Sequence, residues 1–467
     1  MTEPGQHLDA PAIASAVSRG ELSASDVVAR SVQAALAAQD HINAFTLIDA
    51  ERASERAMGI DAKVAAGADP GPLAGVPVAV KDIVDHEGRV TTCGADFPAE
   101  PAIATAPCLA RLEAAGAVII GRTGLHEFAF GFSSENHWFG PVRNPWDADL
   151  SPGGSSGGSG AAVGASIVPF ALGTDTGGSV RVPAALCGAV GLKVTHGRGS
   201  LRGVFPLASS LDTVGPIGRT VADVAAAYAV IGAHDAEDPW SAPRPVVVPG
   251  PPVPLPSLTV GVPHPWVDRG LDEDVAVAFE AALGALADHG ATVVHLEDPL
   301  VASSSRLDAS LYYEVASTHR ERWQREPGRF GPEVAERIAV AMAVSGEDYL
   351  AARRWRAALR HAAERAFERC DVLVTPAVAA LRKHIGVPTI RLGGDDVPYR
   401  SALGRFTAPV NHASLPALVL PLPADTRPPP SLQLIGPAWS ESRLLEIGRA
   451  LELSGICEAP APPTWAR

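Results

Sequence analysis

Residues 151–195, SPGGSSGGSGAAVGASIVPFALGTDTGGSVRVPAALCGAVGLKVT, constrain this chain more than any other stretch. Two serine-bearing glycine runs, GGSSGGSG and TGGS, flank one short apolar segment. Glycine at this density weakens helix and strand. It also lets backbone approach a ligand closely with its N–H groups free to donate. The chemistry is therefore expected here, with one serine as nucleophile and another as its helper.

Three familiar glycine motifs can be compared with the letters. A phosphate-binding loop needs Lys after its last glycine, and Gly160 is followed by Ala161 and Ala162. A dinucleotide fingerprint starting at Gly158 and Gly160 would need glycine where Val163 stands. The G-x-S-x-G elbow matches around Ser155 and Ser156, but that turn must follow a buried strand. The preceding RNPWDADLSP is polar and carries Pro145 and Pro152.

The second run has the better context. Residues 167–172 are apolar, broken only by Pro169, and lead through Gly173, Thr174 and Asp175 into Thr176-Gly177-Gly178-Ser179. Ser179 thus falls just past a strand end, where it can meet a carbonyl carbon. The N–H groups of Thr176, Gly177, Gly178 and Ser179 would surround the carbonyl oxygen. Charge grows on that oxygen in acyl transfer, and one such donor is worth roughly 3–4 kcal/mol. For the base, the residues leave two kinds of candidate. His126, His137 and His196 lie near the motif, and Lys81 closes the apolar run 76–80, whose burial would disfavour its ammonium form. Read singly, each histidine is a loop or surface residue and Lys81 a strand-end lysine with its head in water.

Taken together, VAVKD, GGSSGG and GTDTGGSVRVPAALCG, in this order and at these separations, resemble the amidase signature family of serine hydrolases. GRTGLHEFAFGFSSENHWFGPVRNPWD before the signature, and LASSLDTVGPIGRTVADVA, CDVLVTPA, FTAPVNHASLPALVLPLP and SLQLIGP after it, are similar to family segments as well. The resemblance implies Ser179 as nucleophile, Ser155 beside a cis peptide as proton relay, and Lys81 as ultimate base. It also implies a single large α/β/α domain with a mixed, largely parallel central sheet covered by helices. Asp175, Arg181 and Asp82 read as scaffold residues that hold these loops.

Helix followed by buried strand recurs at 105–121 and 272–296, as expected of that architecture. The whole chain, 1–467, is read as one domain. Residues 1–67 are a helical lead-in opened by a capping box at Ser23, with Val28, Val32 and Leu36 on one face. Residues 68–235 are the catalytic core, 236–258 a proline-rich connection and 304–369 a helical segment near the pocket. The net charge of −14 argues against a phosphate-binding surface, so no nucleic acid partner is expected. Five scattered cysteines without a C-x-x-C pair read as buried thiols, and no metal or cofactor is called for. The start MTEPGQHLDA has no basic-then-apolar leader and no window spans a bilayer, so a cytoplasmic protein, monomeric or homodimeric, is expected.

Phe128, Phe130, Phe132, Trp138 and Phe139 crowd one segment of a chain that is only 5% aromatic, and are candidates to line an apolar pocket. That favours a free-standing hydrolase of apolar or aryl amides, extending to aryl esters and carbamates, with a small-molecule amide or carbamate as its partner. The resemblance leaves one alternative, the amidase component of a tRNA-dependent glutamine amidotransferase, its A subunit. In HGRGSLRGVFPLASS, Gly199 and Leu201 depart from that component's usual G-R-V-S-R-Y-G, which counts against it.

Overall fold

A computed structural model describes residues 8–297, 304–461, 463 and 465. Residues 1–7, where the leader would lie, are outside it. The apolar runs become the strands of one 11-stranded sheet. In chain order these are β1 (Phe45–Ile48), β2 (Pro77–Lys81), β3 (Val118–Thr123), β4 (Phe170–Thr174), β5 (Val190–Lys193) and β6 (Val214–Gly218). They continue as β7 (Thr259–Pro263), β8 (Thr292–Leu296), β9 (Val372–Pro376), β10 (Ala417–Pro421) and β11 (Ser431–Ile435). The spatial order is β1-β3-β2-β4-β6-β5-β10-β11-β9-β7-β8.

The sheet is mixed. Two stretches are parallel, β3-β2-β4 toward one side and β9-β7-β8 at the other, as helix-then-strand alternation requires, while the edge strand β1 runs antiparallel to β3. The middle, β4-β6-β5-β10-β11-β9, is antiparallel throughout. All residues of β2, β3, β4, β5, β6, β9, β10 and β11 are buried, which is the sign of a sheet covered on both faces.

The helices that matter for the site are α1 (Ala24–Ile42), α2 (Gly157–Gly164), α3 (Arg181–Cys187), α4 (Ser304–Arg325), α5 (Pro332–Met342), α6 (Gly346–Phe367) and α7 (Tyr399–Gly404). At the start of α1, Ser23 Oγ accepts from Asp26 N at 3.3 Å, while Asp61 takes the Ala24 and Ser25 N–H groups at 2.7 and 3.0 Å. Val28 and Val32 are buried as expected, but Leu36 is 51% exposed. Eight residues rotate a helix about 80° past two full turns, so Ala35, seven residues after Val28, takes the core position instead. The proline-rich run has no regular structure until a short 3-10 turn, Leu255–Ser257, feeds β7. All five cysteines are buried and unpaired. No helix of the described residues is long and apolar enough to cross a membrane.

β2 and β4 are parallel neighbours, with Val80 beside Leu172, so their C-terminal ends finish together. Loops at that edge of a parallel sheet converge on one crevice. Ser155 lies just before α2 and Ser179 just before α3, two short helices packed on each other, and α2 also lies across β2 and β4.

Candidate active site

Lys81, the last residue of β2, is fully buried and has no carboxylate in hydrogen-bond contact among the described residues. Its Nζ lies 2.7 Å from Ser155 Oγ and 2.8 Å from Thr174 Oγ1, the last side chain of β4. Burial lowers its pKa to about 7, against the opposing pull of Asp212 and Asp175. A neutral amine is thus within reach at ordinary pH, and a neutral amine accepts protons.

Ser155 is fully buried and follows a cis peptide bond from Gly154. Its carbonyl takes the His126 backbone N–H at 3.1 Å, and the next residue, Ser156, donates its N–H to the Ser179 carbonyl at 3.2 Å. The two serine loops are therefore tied together through backbone. Close packing explains the first glycine run, since a Cβ on Gly157 would fall 2.6 Å from Ser134 Cβ.

Ser179 is 3% exposed, and its hydroxyl is not engaged by another described side chain. The loop before it is braced by Asp175, a fully buried carboxylate that accepts from Arg181 Nε and Nη2 at 3.0 Å, Asn411 Nδ2 at 2.8 Å and Val180 N at 3.2 Å. Burial pushes Asp175 up, but the Arg181 guanidinium outweighs it and brings the pKa to about 2. Arg181 in turn reaches Gln433 at 2.8 Å. The scaffold reading of Asp175 and Arg181 matches these contacts. Asp82 is likewise held by Arg122 Nε at 2.7 Å and Thr92 Oγ1 at 2.6 Å.

One expected donor is already in use. Gly178 N–H points to Asp175 Oδ1 at 2.8 Å, which leaves Thr176, Gly177 and Ser179 as the free amides of the cradle. The histidines do not converge on Ser179. His126 is buried with Nδ1 3.4 Å from Ser133 Oγ, His137 stacks edge-on against Trp138, and His196 Nε2 sits 2.9 Å from the Ser209 carbonyl.

The five aromatic candidates separate as well. Phe132 packs its ring between Gly177 and Gly404, against the loop that carries Ser179. Phe128 and Phe130 are core residues, one among Phe97, Phe205, Phe330 and His319, the other edge-on to Tyr312. Trp138 turns away to donate to Glu127 at 3.2 Å, and Phe139 is 40% exposed on the surface. Alternation along an irregular segment has no fixed period, so proximity in sequence did not place these rings in one wall.

Sequence reasoning missed a cavity of about 740 Å³ lined by Arg337, Arg400, Lys383, Asp308, Glu333 and Tyr399, among others. Arg337, on α5, donates to the Phe130 carbonyl and lies over the Phe130 ring, while its Nε has no partner among the described residues. The Arg337–Phe130 contact ties one wall of this cavity to the segment that carries Phe132.

The family model for amidases matches residues 26–445. The chain belongs to the amidase family. As a member of it, the protein is a hydrolase-type enzyme acting on C–N bonds. It is 38% identical to the A subunit of the glutamyl-tRNA(Gln) amidotransferase of Moorella thermoacetica, over 96% of each chain. With the like-named protein of Anaeromyxobacter dehalogenans the identity is 40%, over 95% of each. Its fold matches, at a TM-score of 0.90 and 36% identity, a chain solved in work on a vestigial protein complex and the evolutionary origins of an s-triazine catabolic enzyme. That match covers 97% of this chain and 100% of the other.

These relatives overturn two expectations. The free-standing hydrolase of apolar or aryl amides, esters and carbamates gives way, because relatives across about 95% of this amidase carry the amidotransferase name at 36–40% identity. The expectation of a small-molecule partner and no nucleic acid falls with it, since those relatives are named for a tRNA. The loop that argued the other way reports packing. Gly199 has φ +77°, and a Cβ there would lie 2.9 Å from the Ile231 carbonyl, so the turn itself demands glycine. Net charge also misleads, because a summed charge does not report how charge is distributed over the surface.

Proposed function

We propose that this chain is the amide-cleaving component of a glutamine-dependent amidotransferase serving glutamyl-tRNA(Gln). The observation that carries the chemistry is the 2.7 Å contact between buried Lys81 Nζ and Ser155 Oγ. The relatives' shared name carries the substrate. Neutral Lys81 takes the proton of Ser155 as Ser155 takes that of Ser179, and Ser179 attacks the carboxamide carbon of glutamine. The Thr176, Gly177 and Ser179 N–H groups hold the oxyanion. The relay then runs backward and protonates the leaving nitrogen, releasing ammonia, because an amide ion does not leave unprotonated. Water clears the glutamyl-enzyme as glutamate.

The charged cavity supports this substrate. A free amino acid brings a carboxylate and an ammonium, and each needs a fixed partner of opposite sign once out of water. Arg337 and Arg400 supply guanidinium groups, and Asp308 and Glu333 carboxylates, to the same cavity. Ammonia release from glutamine by the full chain, with and without the companion subunits and glutamyl-tRNA(Gln), tests the reading. Glutamine is expected to be turned over with higher kcat/KM than any anilide or aryl carbamate, and faster in the assembly. Preference for the anilides would overturn it.

A further inference from the structure

The nucleophile loop is held on one side by a carboxylate that the proton relay does not contain. Asp212 is 6% exposed and accepts a 2.6 Å hydrogen bond from Thr176 Oγ1. Its oxygens also receive the N–H of Leu207 at 3.0 Å and of Ala208 at 3.1 and 3.2 Å. With those lone-pair directions filled, the Thr176 hydroxyl has one place to point. Next to it, the backbones of Asp175 and Thr213 exchange hydrogen bonds of 2.8 and 3.1 Å. Residues 175 and 176 are thus clamped by the 212–213 backbone and by the Asp212 side chain.

The clamp continues outward. Ser210, two residues before Asp212, donates its N–H to Glu314 of α4 at 3.1 Å, and Arg356 of α6 donates to the Ser210 carbonyl at 2.8 Å and to its hydroxyl at 2.7 Å. Tyr349 of α6 closes the set with 3.0 Å to Glu314. Hydrogen bonds between Ser210 and both α4 and α6, and between Thr176 and Asp212, therefore link these helices to the cradle through the 210–212 backbone.

We infer that Asp212 is a positioning residue for acyl transfer, which aligns the Thr176 amide through the Thr176 hydroxyl. It acts through Thr176 and touches no reacting atom. The inference rests on Ser179 being the nucleophile, and the labelling experiment separates the two.

The readout is the rate at which a fluorophosphonate labels the full chain, because this probe needs the nucleophile, the relay and the oxyanion cradle but no amide substrate. Thr176→Val is expected to slow labelling roughly 10- to 100-fold. Thr176→Ser, which keeps the hydroxyl, restores most of the rate. Asp212→Asn slows labelling comparably. The double variant is no slower than Asp212→Asn alone, as two members of one contact should behave. Wild-type labelling in Thr176→Val, or in folded Asp212→Asn, overturns the inference. Should Asp212→Asn fail to fold, the Thr176 pair decides it. A wild-type chain that the probe does not label removes the Ser179 reading instead.

Discussion

Thr407 fills the space beside Gly178. Its Oγ1 donates to the Gly177 carbonyl at 2.8 Å, and its Cβ would stand 2.7 Å from a Cβ at position 178, where φ is +137°. Sterics and backbone conformation both restrict the site to glycine. Gly178→Ala is expected to shift the neighbouring amides and lower kcat on the order of 100-fold, with a stability loss of about 1–3 kcal/mol. Steady-state kinetics and a thermal melt on the same preparation check it.

Ser179→Ala removes a hydroxyl that braces nothing, so the melting temperature should stay at the wild-type value. Turnover should fall on the order of 1,000-fold or more. A serine-directed probe labels the wild type and misses the variant. Retained turnover would place the nucleophile elsewhere.

The pH profile follows from Lys81. The proposed relay needs its neutral form, burial lowers its pKa to about 7, and kcat/KM should therefore rise with pH through about 7 and level off above. Lys81→Arg should be close to inactive at every pH in this range, because a guanidinium keeps its proton. His137→Ala, by contrast, alters a ring stacked on Trp138 and should leave the profile unchanged.

Asp175 and Arg181 are both fully buried. Arg181→Ala leaves a carboxylate in the interior without its main counter-charge, and should destabilise the fold by about 3–5 kcal/mol. Burial alone would raise Asp175, yet Arg181 holds its folded-state pKa near 2, below the unfolded value of about 4. The pair's contribution is thus fully present above about pH 4 and is lost as pH falls toward about 2. Denaturant titrations of wild type and Arg181→Ala between those limits should converge at the acid end.

The catalytic triad candidates were legible because each rests on a local signal. Lys81 closes an apolar run that could only be a buried strand, and Ser155 and Ser179 sit in glycine runs too dense for regular structure. The two parallel stretches of the sheet were legible for a similar reason, through helix-then-strand periodicity. The antiparallel middle was not, since its order is set where β5 pairs with β10 and β9 with β11, strands far apart in sequence. The same distance hid the residues that hold the site. Asn411 and Gln433 meet Asp175 and Arg181 from more than 200 positions away, and Thr407 meets Gly177 from as far. They lie in FTAPVNHASLP and SLQLIGP, segments the resemblance marked without giving them a role. A sequence displays what a residue does to its own stretch of backbone, such as bury it, turn it or free its amides. Which carboxylate meets which hydroxyl across the sheet, as Asp212 meets Thr176, is decided only when the strands are ordered and packed.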